Sequence, residues 1–513
     1  MNFLQSSQAT TTERTLAVSG VMLVIFLYAI DATIVSTSMP TIVARLGGLE
    51  LYSWVFSIYM LTSALTTPLF GKLADLFSHR RLMLIGIGIF VLGSTLCGAA
   101  QSMEMLVLFR AIQGLGGGAI YALAFIVVGV LFPPEQRAKM QGIISSIWGI
   151  SSVLGPLAGG LIVEYTNWRW VFFVNLPITA IAVGFIAVGL KEEKTERHRH
   201  KLDLVGTATL LLGLMVMFYA LSRSAHTHQP LNAELLSILA AAVMILVLFY
   251  FIERRAEEPI IPLDLFNLSL YRTSTFVATL AAMGVFGAIS YLPLYLQGVL
   301  GMSASGAGLI LLLLSLGWTA GSLVAGRGID RLGYRKVAGA GMTCMAVGFG
   351  FFVLIGHPVG LHLVLLASLL IGVGMGTANL TTLVAAQNAV PIRRIGVATS
   401  TLMLSRAFGG AFCISLMGTV LFNRMQQGLE TLGTGLSTTL RAKVANPQNL
   451  LEPATRASIP PEFLPQLTGL LADSIWYAFL TAFLLMSIGC AVSARMAPYT
   501  PACTPRPDGR SPE

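Results

Sequence analysis

The sequence predicts an all-α integral membrane protein with fourteen transmembrane helices, arranged as two six-helix halves with two further helices inserted between them. Three observations carry that prediction. Of the 513 residues, 55% are hydrophobic and only 11% charged, against about 25% charged in a soluble globular domain. The apolar residues fall in runs of the ~20 residues that a helix needs to cross the hydrocarbon core. A charged loop segment also recurs at an offset of 255 residues, at the matching place in each half. With a mean hydropathy of +0.78, the composition excludes soluble enzymes, disordered scaffolds and collagen-like fibres.

In chain order, the apolar runs bounded by charge, proline or glycine clusters are 17–43, 53–74, 82–101, 104–132, 138–163, 168–190, 203–222, 234–253, 273–298, 304–327, 336–357, 360–389, 395–423 and 471–496. Residues 1–16 are polar and carry no cleavage signal, so the first span is expected to be retained behind a cytoplasmic tail. The N-terminal half is 17–190, followed by a basic linker at 191–202, the inserted pair at 203–253 and a second linker at 254–272. The C-terminal half runs from 273 to 496 and contains a polar segment, 424–470, expected to project as an extracytoplasmic loop; a tail, 497–513, follows.

Loop charge sets the direction. With the chain starting inside, 23 of the 32 Lys and Arg residues fall in inside loops and tails, seven fall outside, and Arg110 and Arg406 lie within spans. The positive-inside rule therefore places both termini in the cytoplasm; the membrane itself is expected to be the cell inner (plasma) membrane. The same interspersed charge accounts for the net +9 without a nucleic-acid partner. The five cysteines are scattered, and the tracts His198-Arg199-His200 and His226-Thr227-His228 lack carboxylate or thiol partners at ligand spacing, so no disulfide framework and no metal site is expected.

The repeated segment is Gly71-Lys72-Leu73-Ala74-Asp75-Leu76-Phe77-Ser78-His79-Arg80-Arg81 after the second span and Gly326-Arg327-Gly328-Ile329-Asp330-Arg331-Leu332-Gly333-Tyr334-Arg335-Lys336 after the tenth. Glycine permits a tight turn, aspartate satisfies exposed helix-start amides, and the basic residues face anionic lipid and helix ends. Duplicated halves of this kind are a transporter signature.

The first copy resembles the cytoplasmic loop motif of the major facilitator superfamily, although Leu76 and Ser78 stand where the family usually has Arg and Gly; the second copy keeps Arg331 and Gly333. Arg110-Ala111-Ile112-Gln113-Gly114 and Gly155-Pro156-Leu157-Ala158-Gly159-Gly160 resemble that superfamily's coupling and antiporter motifs. Asp31-Ala32-Thr33-Ile34-Val35, Trp168-Arg169-Trp170-Val171-Phe172-Phe173-Val174-Asn175-Leu176-Pro177 and Arg406-Ala407-Phe408-Gly409-Gly410 look like the fourteen-helix drug:proton antiporter branch. The resemblance implies a proton-coupled multidrug efflux antiporter that exports amphipathic drugs or toxic small molecules by alternating access. It would act as a monomer in the bilayer, driven by the proton gradient with no cofactor and no enzymatic chemistry; any periplasmic adaptor is left open. A dedicated exporter of a metabolite or lipid is the alternative; a membrane-embedded enzyme or receptor lacks support in the motifs.

Ionisable groups inside spans cost about 2.5–3.5 kcal/mol each at a helix centre on insertion scales, so each calls for a partner or a task. Asp31 and Arg110 both lie about 9 Å below the outer edge of a roughly 30 Å core, by helical rise. Equal depth makes contact feasible, and separation of the pair would make Asp31 bind a proton more readily, linking conformation to protonation. Arg406 lies near the midplane with two roles open: neutralising an acid across the halves, Asp31 included, or anchoring backbone carbonyls at a helix break. Gly71, Asp75, Arg80, Arg81, Gly155, Pro156, Gly326, Asp330, Arg331, Gly333 and Arg335 form the expected gating set. The run Gly114-Leu115-Gly116-Gly117-Gly118 is expected to serve close helix packing. For the substrate cavity, Trp54, Tyr59, Gln113, Tyr121, Trp148, Tyr291, Tyr295 and Gln297 offer aromatic faces and hydrogen-bonding groups suited to flat or cationic amphiphiles.

Overall fold

The computed structural model describes residues 11–48, 51–190, 203–227, 233–256, 259–355, 359–431, 444, 450 and 459–497, and among them there are helices and no strands. In hydrocarbon a backbone can satisfy its N–H and C=O groups only within itself, and long apolar runs answer with helices. They are α1 (Thr11–Leu46), α2 (Tyr52–Leu76), α3 (His79–Ala99), α4 (Met103–Leu131), α5 (Pro134–Tyr165), α6 (Trp170–Phe173), α7 (Asn175–Gly189), α8 (Leu204–Thr227), α9 (Ala233–Glu253), α10 (Ser269–Leu294), α11 (Ala304–Leu354), α12 (Leu361–Asn388), α13 (Ile395–Thr431) and α14 (Leu464–Ser493). Large apolar side chains such as Leu92, Leu108, Val188, Met244 and Val324 stay exposed on the outer faces, as a lipid-facing surface requires.

Eleven helical spans among the described residues, α6 and α7 taken together as one, are long and apolar enough to cross a membrane. The difference from the fourteen runs has three sources. The tenth and eleventh runs are one continuous stretch, α11, interrupted only at Gly333 (φ +76°, ψ 165°); the left-handed region suits a residue without Cβ. The apolar part of α8 is the shorter Val205–Ala220. In α2, Thr62, Thr66 and Thr67 dilute the hydropathy, yet each hydroxyl donates to a carbonyl one turn back (2.8, 2.7 and 2.9 Å), which satisfies it within the helix.

The sixth run, 168–190, is two helices, because Pro177 has no N–H to offer the carbonyl of Phe173; the helix is interrupted at Val174 and α7 restarts at Asn175. At the far end of the chain the expected loop 424–470 is too long: α13 continues to Thr431 and α14 already begins at Leu464. The extension is held because the Arg424 guanidinium lies 3.8 Å from the Tyr477 ring centroid while Met425 and Leu429 are buried. The linker 191–202, His228 and the tail 498–513 lie outside the described residues, as do the side chains of His226 and Thr227.

α1 packs on α5 and α7, and α2 and α3 pack on α4; α10 packs on α12, α13 and α14, and α11 on α12 and α14. The two sets meet along α5 against α11 and α13 against α2. α8 and α9 pair with each other, and α8 lies against both α13 and α2, through a cluster that includes Leu65, Leu210, Leu214, Phe249 and Leu404.

Candidate functional site

The densest polar constellation lies inside the first set of helices. Asp31 on α1 and Arg110 on α4 are fully buried, and Arg110 Nη1 donates to Asp31 Oδ2 at 2.6 Å. Gln113, one turn beyond Arg110, donates from Nε2 to Asp31 Oδ1 (2.8 Å) and accepts from Arg110 Nη1 at its own Oε1 (2.8 Å). Asn175, placed by the restart of α7, donates to Asp31 Oδ1 (3.3 Å) and to Ser94 Oγ (3.0 Å), and Ser94 in turn donates to the Phe172 carbonyl (2.8 Å). Arg110 also donates from Nε to the Val55 carbonyl (3.3 Å), and its guanidinium sits 4.0 Å from the centroid of the Tyr59 ring. A buried ion pair survives only where further hydrogen bonds replace the lost water; here the carboxylate accepts from three side chains on two other helices.

Glycine makes this approach possible. A Cβ on Gly93 would fall 2.4 Å from Gln113 Cα, and one on Gly114 would fall 2.5 Å from the Tyr59 carbonyl. The same holds along the run: Gly116 abuts the Phe90 backbone and Gly118 the Ser63 carbonyl, at 2.2 and 2.1 Å. This run is a helix-packing surface, as expected, and it brings α2 and α3 close to α4. Gly155 and Gly159 do the same for α5 against Thr33, Ile34 and Thr37 of α1.

Arg406 does not meet Asp31. Its Nη2 donates to the Asn379 carbonyl (2.5 Å) and to Thr382 Oγ1 (2.9 Å) of α12. Of the two roles left open it takes the carbonyl anchor, on an unbroken helix rather than at a break.

The expected cavity residues divide. Tyr121 stacks on Tyr28 (centroids 4.8 Å apart) and meets Trp148 edge-on, and Trp148 stacks on Trp318 across the two sets of helices at 6.3 Å and 4°. Tyr59 is buried beneath Arg110, 5.9 Å from Tyr28. Gln113 is fully buried in the ion-pair network. Tyr295 is in the core of the C-terminal set, its ring against Phe352 and Phe479 and its hydroxyl accepting from the Val359 N–H (2.8 Å). Tyr291 donates to the Ile414 carbonyl (2.6 Å). Gln297 is half-buried in a π-helical turn after α10, and Trp54 is exposed near the start of α2.

The two Gly-Asp-Arg segments lie at one end of the bundle, here termed the motif end. Asp75 reaches the first turn of α13 and accepts from the N–H groups of Gly396 (2.7 Å) and Val397 (2.8 Å). Those are helix-start amides, as the sequence leads one to expect, but they belong to the other half. A Cβ on Gly71 would strike Ser400, and one on Gly326 would fall 2.9 Å from the Ala138 carbonyl. Arg137 donates to Asn388 Oδ1 (2.7 Å), which donates to the Tyr334 hydroxyl (2.8 Å), and Gln141 and Gln387 both donate to the Phe125 carbonyl. Asp330, Arg331 and Arg335 are exposed, and Arg80 and Arg81 open α3. Ser78 aligns with Gly333 but has φ −56°, so the first copy makes its break without a left-handed residue, which explains why it tolerates serine there.

Residues 21–413 match the family described as the Major Facilitator Superfamily. The chain belongs to that superfamily. It is therefore a membrane transporter and not an enzyme. Two Bacillus subtilis (strain 168) relatives align along nearly their whole length: the Multidrug transporter protein MdtP, 33% identical over 96% of this chain and 95% of its own, and Multidrug resistance protein 3, 32% identical over 94% of each. Among solved structures the fold is shared with the human organic anion transporter MFSD10 (TETRAN), with a TM-score of 0.63 and 17% identity over 94% of this chain and 99% of that one. It is shared too with an inward-facing bacterial homologue of the human lysosomal transporter Spinster, at a TM-score of 0.54 and 17% identity over 96% and 100% of the two chains.

Sequence reasoning about this superfamily member missed Ser94, Tyr28 and Trp318 as site residues and gave Asn175 no role. Asn175 had a signal, since an amide inside an apolar run calls for a partner; Ser94 and Tyr28 had none, because serine and tyrosine are ordinary in transmembrane helices. Asp75, past the apolar part of α2, also carries a testable consequence. Burial pushes its carboxyl up from 3.8 to about 7, against the pull of the Val397 and Gly396 amides, His79 and Lys72. Between those two values the enclosed group holds a proton that a water-exposed one releases, so parting the motif end frees a proton and becomes easier as pH rises through about 7. Spin labels on Phe77→Cys and Ile392→Cys, in a chain cleared of native cysteines, are expected to show a separated population that grows from about pH 6 to about pH 8. Asp75→Asn should flatten that dependence.

Proposed function

We propose that this chain is a proton-coupled antiporter that exports amphipathic, toxic small molecules from the cytoplasm by alternating access. The observation that carries the reading is the buried Asp31 carboxylate, held by Arg110, Gln113 and Asn175 on helices that surround it. Such a group is costly unless it has work to do, and a carboxylate whose counter-charge sits on another helix exchanges its proton when the helices shift. The names of the Bacillus subtilis relatives, a multidrug transporter and a multidrug resistance protein, support the efflux assignment. The aromatic faces of Tyr121, Trp148 and Trp318 at the seam between the halves suit flat or cationic compounds.

In this reading the fourteen apolar runs are fourteen crossings, both termini and the motif end are cytoplasmic, and the protein works as a monomer in the plasma membrane. The cross-half contacts of Asp75 and Arg137 then close the cytoplasmic gate, and parting them opens it. Single cysteines in 191–202 and in 432–463, in a chain without its native cysteines, are expected to label from opposite sides of the membrane; labelling from the same side refutes the fourteen-crossing topology. The function is tested in proteoliposomes by imposing a pH gradient across a panel of cationic and neutral amphiphiles. Accumulation should follow the gradient and collapse with a protonophore. Transport that ignores the gradient rejects antiport, and transport of a single endogenous compound with none of the panel favours a dedicated exporter.

A further inference from the structure

Arg406 of α13 is 8% exposed and carries a charge that nothing balances among the described residues. Its Nη2 is taken up by the Asn379 carbonyl and Thr382 Oγ1, both neutral, while Nε and Nη1 have no hydrogen-bond partner among the described residues. No carboxylate there acts on it; the ionisable group that does is the Tyr121 phenol of α4, which is neutral at ordinary pH. Asn379 Oδ1 is unpaired as well, but an amide oxygen brings no charge to set against a guanidinium, even through a bridging water. A buried cation without a counter-charge is among the costliest groups a protein can hold, and inside a membrane span such a group marks the path of a ligand or ion.

The aromatic groups around Arg406 narrow what that ligand is. Tyr121 meets the Trp148 ring edge-on at 6.2 Å, and Trp148 stacks on Trp318 across the seam. Trp318 in turn abuts the stretch of α12 that anchors Arg406: a Cβ on Gly376 would strike the Trp318 carbonyl, and Asn379 follows Gly376 by about 4.5 Å of helical rise. The Trp318 indole N–H is a further donor without a partner, and Tyr121, Trp148 and Trp318 each keep part of their surface exposed. We propose that Arg406 receives the carboxylate of the transported molecule, so that this site takes flat aromatic acids, anionic or zwitterionic, in preference to compounds whose only charge is positive. The ring system lies against the Trp148 and Trp318 faces, and the carboxylate accepts from the N–H groups of Arg406 that the protein leaves free. The inference rests on the export reading for calling the bound molecule a substrate, but not on the coupling of export to protons.

The test is equilibrium binding to the detergent-solubilised full chain, read by fluorescence anisotropy of three probes that share one ring system: anthracenecarboxylate, its methyl ester and the anthracenylmethylammonium cation. The wild type should bind the carboxylate about tenfold or more tighter than the ester, the scale of a charge-assisted contact, and the cation most weakly. Arg406→Gln, which keeps an N–H donor for the Asn379 carbonyl, should bring the carboxylate down to the level of the ester and leave the ester unchanged. Arg406→Lys should keep part of the preference, and it decides the matter if the glutamine variant fails to fold. Trp318→Leu should weaken carboxylate and ester by the same factor, about threefold or more, because the ring platform serves both. Equal binding of carboxylate and ester by the wild type, an equal loss of both in Arg406→Gln, or no loss of either in Trp318→Leu overturns the proposal. Displacement of the probe by an equal concentration of sodium acetate would also overturn it, by assigning Arg406 to a small anion without a ring. Because binding is read without a gradient, export that ignores pH leaves this result intact, and a missing carboxylate preference leaves antiport intact.

Discussion

Replacing Asp31 with asparagine is expected to reduce gradient-driven export to the level of protein-free liposomes while leaving the protein inserted and folded. The new amide has nearly the volume of the carboxylate and still offers an oxygen to Arg110 Nη1, but it cannot cycle a proton. Its NH₂ would face the Nε2 of Gln113 and the Nδ2 of Asn175, which now donate at 2.8 and 3.3 Å, so the amides must turn and at least one hydrogen bond is lost. That loss should lower stability by only about 1–2 kcal/mol. Arg110 keeps the Val55 carbonyl and the Tyr59 face, which limits the damage. Asp31→Glu should retain part of the activity, because the longer side chain keeps a proton-carrying group but displaces it against Gln113. Downhill exchange of substrate that moves no net proton should persist in Asp31→Asn. Full gradient-driven accumulation by the asparagine variant, measured in proteoliposomes, would remove Asp31 from the coupling mechanism.

Arg110→Ala is the second large perturbation, and its consequences separate binding from coupling. Removing one partner of a buried pair typically costs about 3–5 kcal/mol when the remaining charge stays unpaired, and Asp31 loses the counter-charge whose movement would link it to the helices. Gradient-driven export should fail. Substrate binding that needs no ionised Asp31 should survive, with a flattened pH dependence that quenching of Trp148 and Trp318, stacked across the seam, can report. Arg110→Lys should restore only part of the function, since an ammonium cannot reach Asp31, Gln113 and the Val55 carbonyl at once as the guanidinium does. Identical pH profiles of binding in wild type and Arg110→Ala would show that the two residues are not coupled, despite their 2.6 Å contact.

The contact of Asp31 with Arg110 is legible in the sequence, because helical rise alone sets how deep a residue lies and two opposite charges at equal depth in one half are natural partners. The packing role of Gly114–Gly118 and the helix break at Gly333 are legible for a similar reason: a residue without a side chain advertises close approach or left-handed backbone. The place of Gln113 is not. It shares a helix with Arg110 and carries a polar group, which fits a cavity wall as well as an ion-pair network; only the position of α1 beside α4 turns it onto Asp31. Arg406 likewise has two roles open to it, and the neighbouring α12 decides between them by supplying the Asn379 carbonyl. Tyr295 meets Phe352 and Phe479 where its composition alone fits the seam equally well.

By itself, then, the sequence determined that the chain is a helical membrane protein, how its runs are spaced, that its halves repeat, and which charges lie at matching depth. The tertiary structure alone decided which way each helix faces and which neighbour it meets: that Asn175 and Ser94 complete the Asp31 network, that Trp148 finds Trp318, and that Asp75 caps a helix of the opposite half. The reason is that a helix surrounded by lipid is apolar on nearly every face, so the stripe that orients a helix in a soluble protein is missing. Rise along the axis is fixed by the backbone, but rotation about it is settled only when small residues, hydroxyls and the few charges lock against the helices beside them.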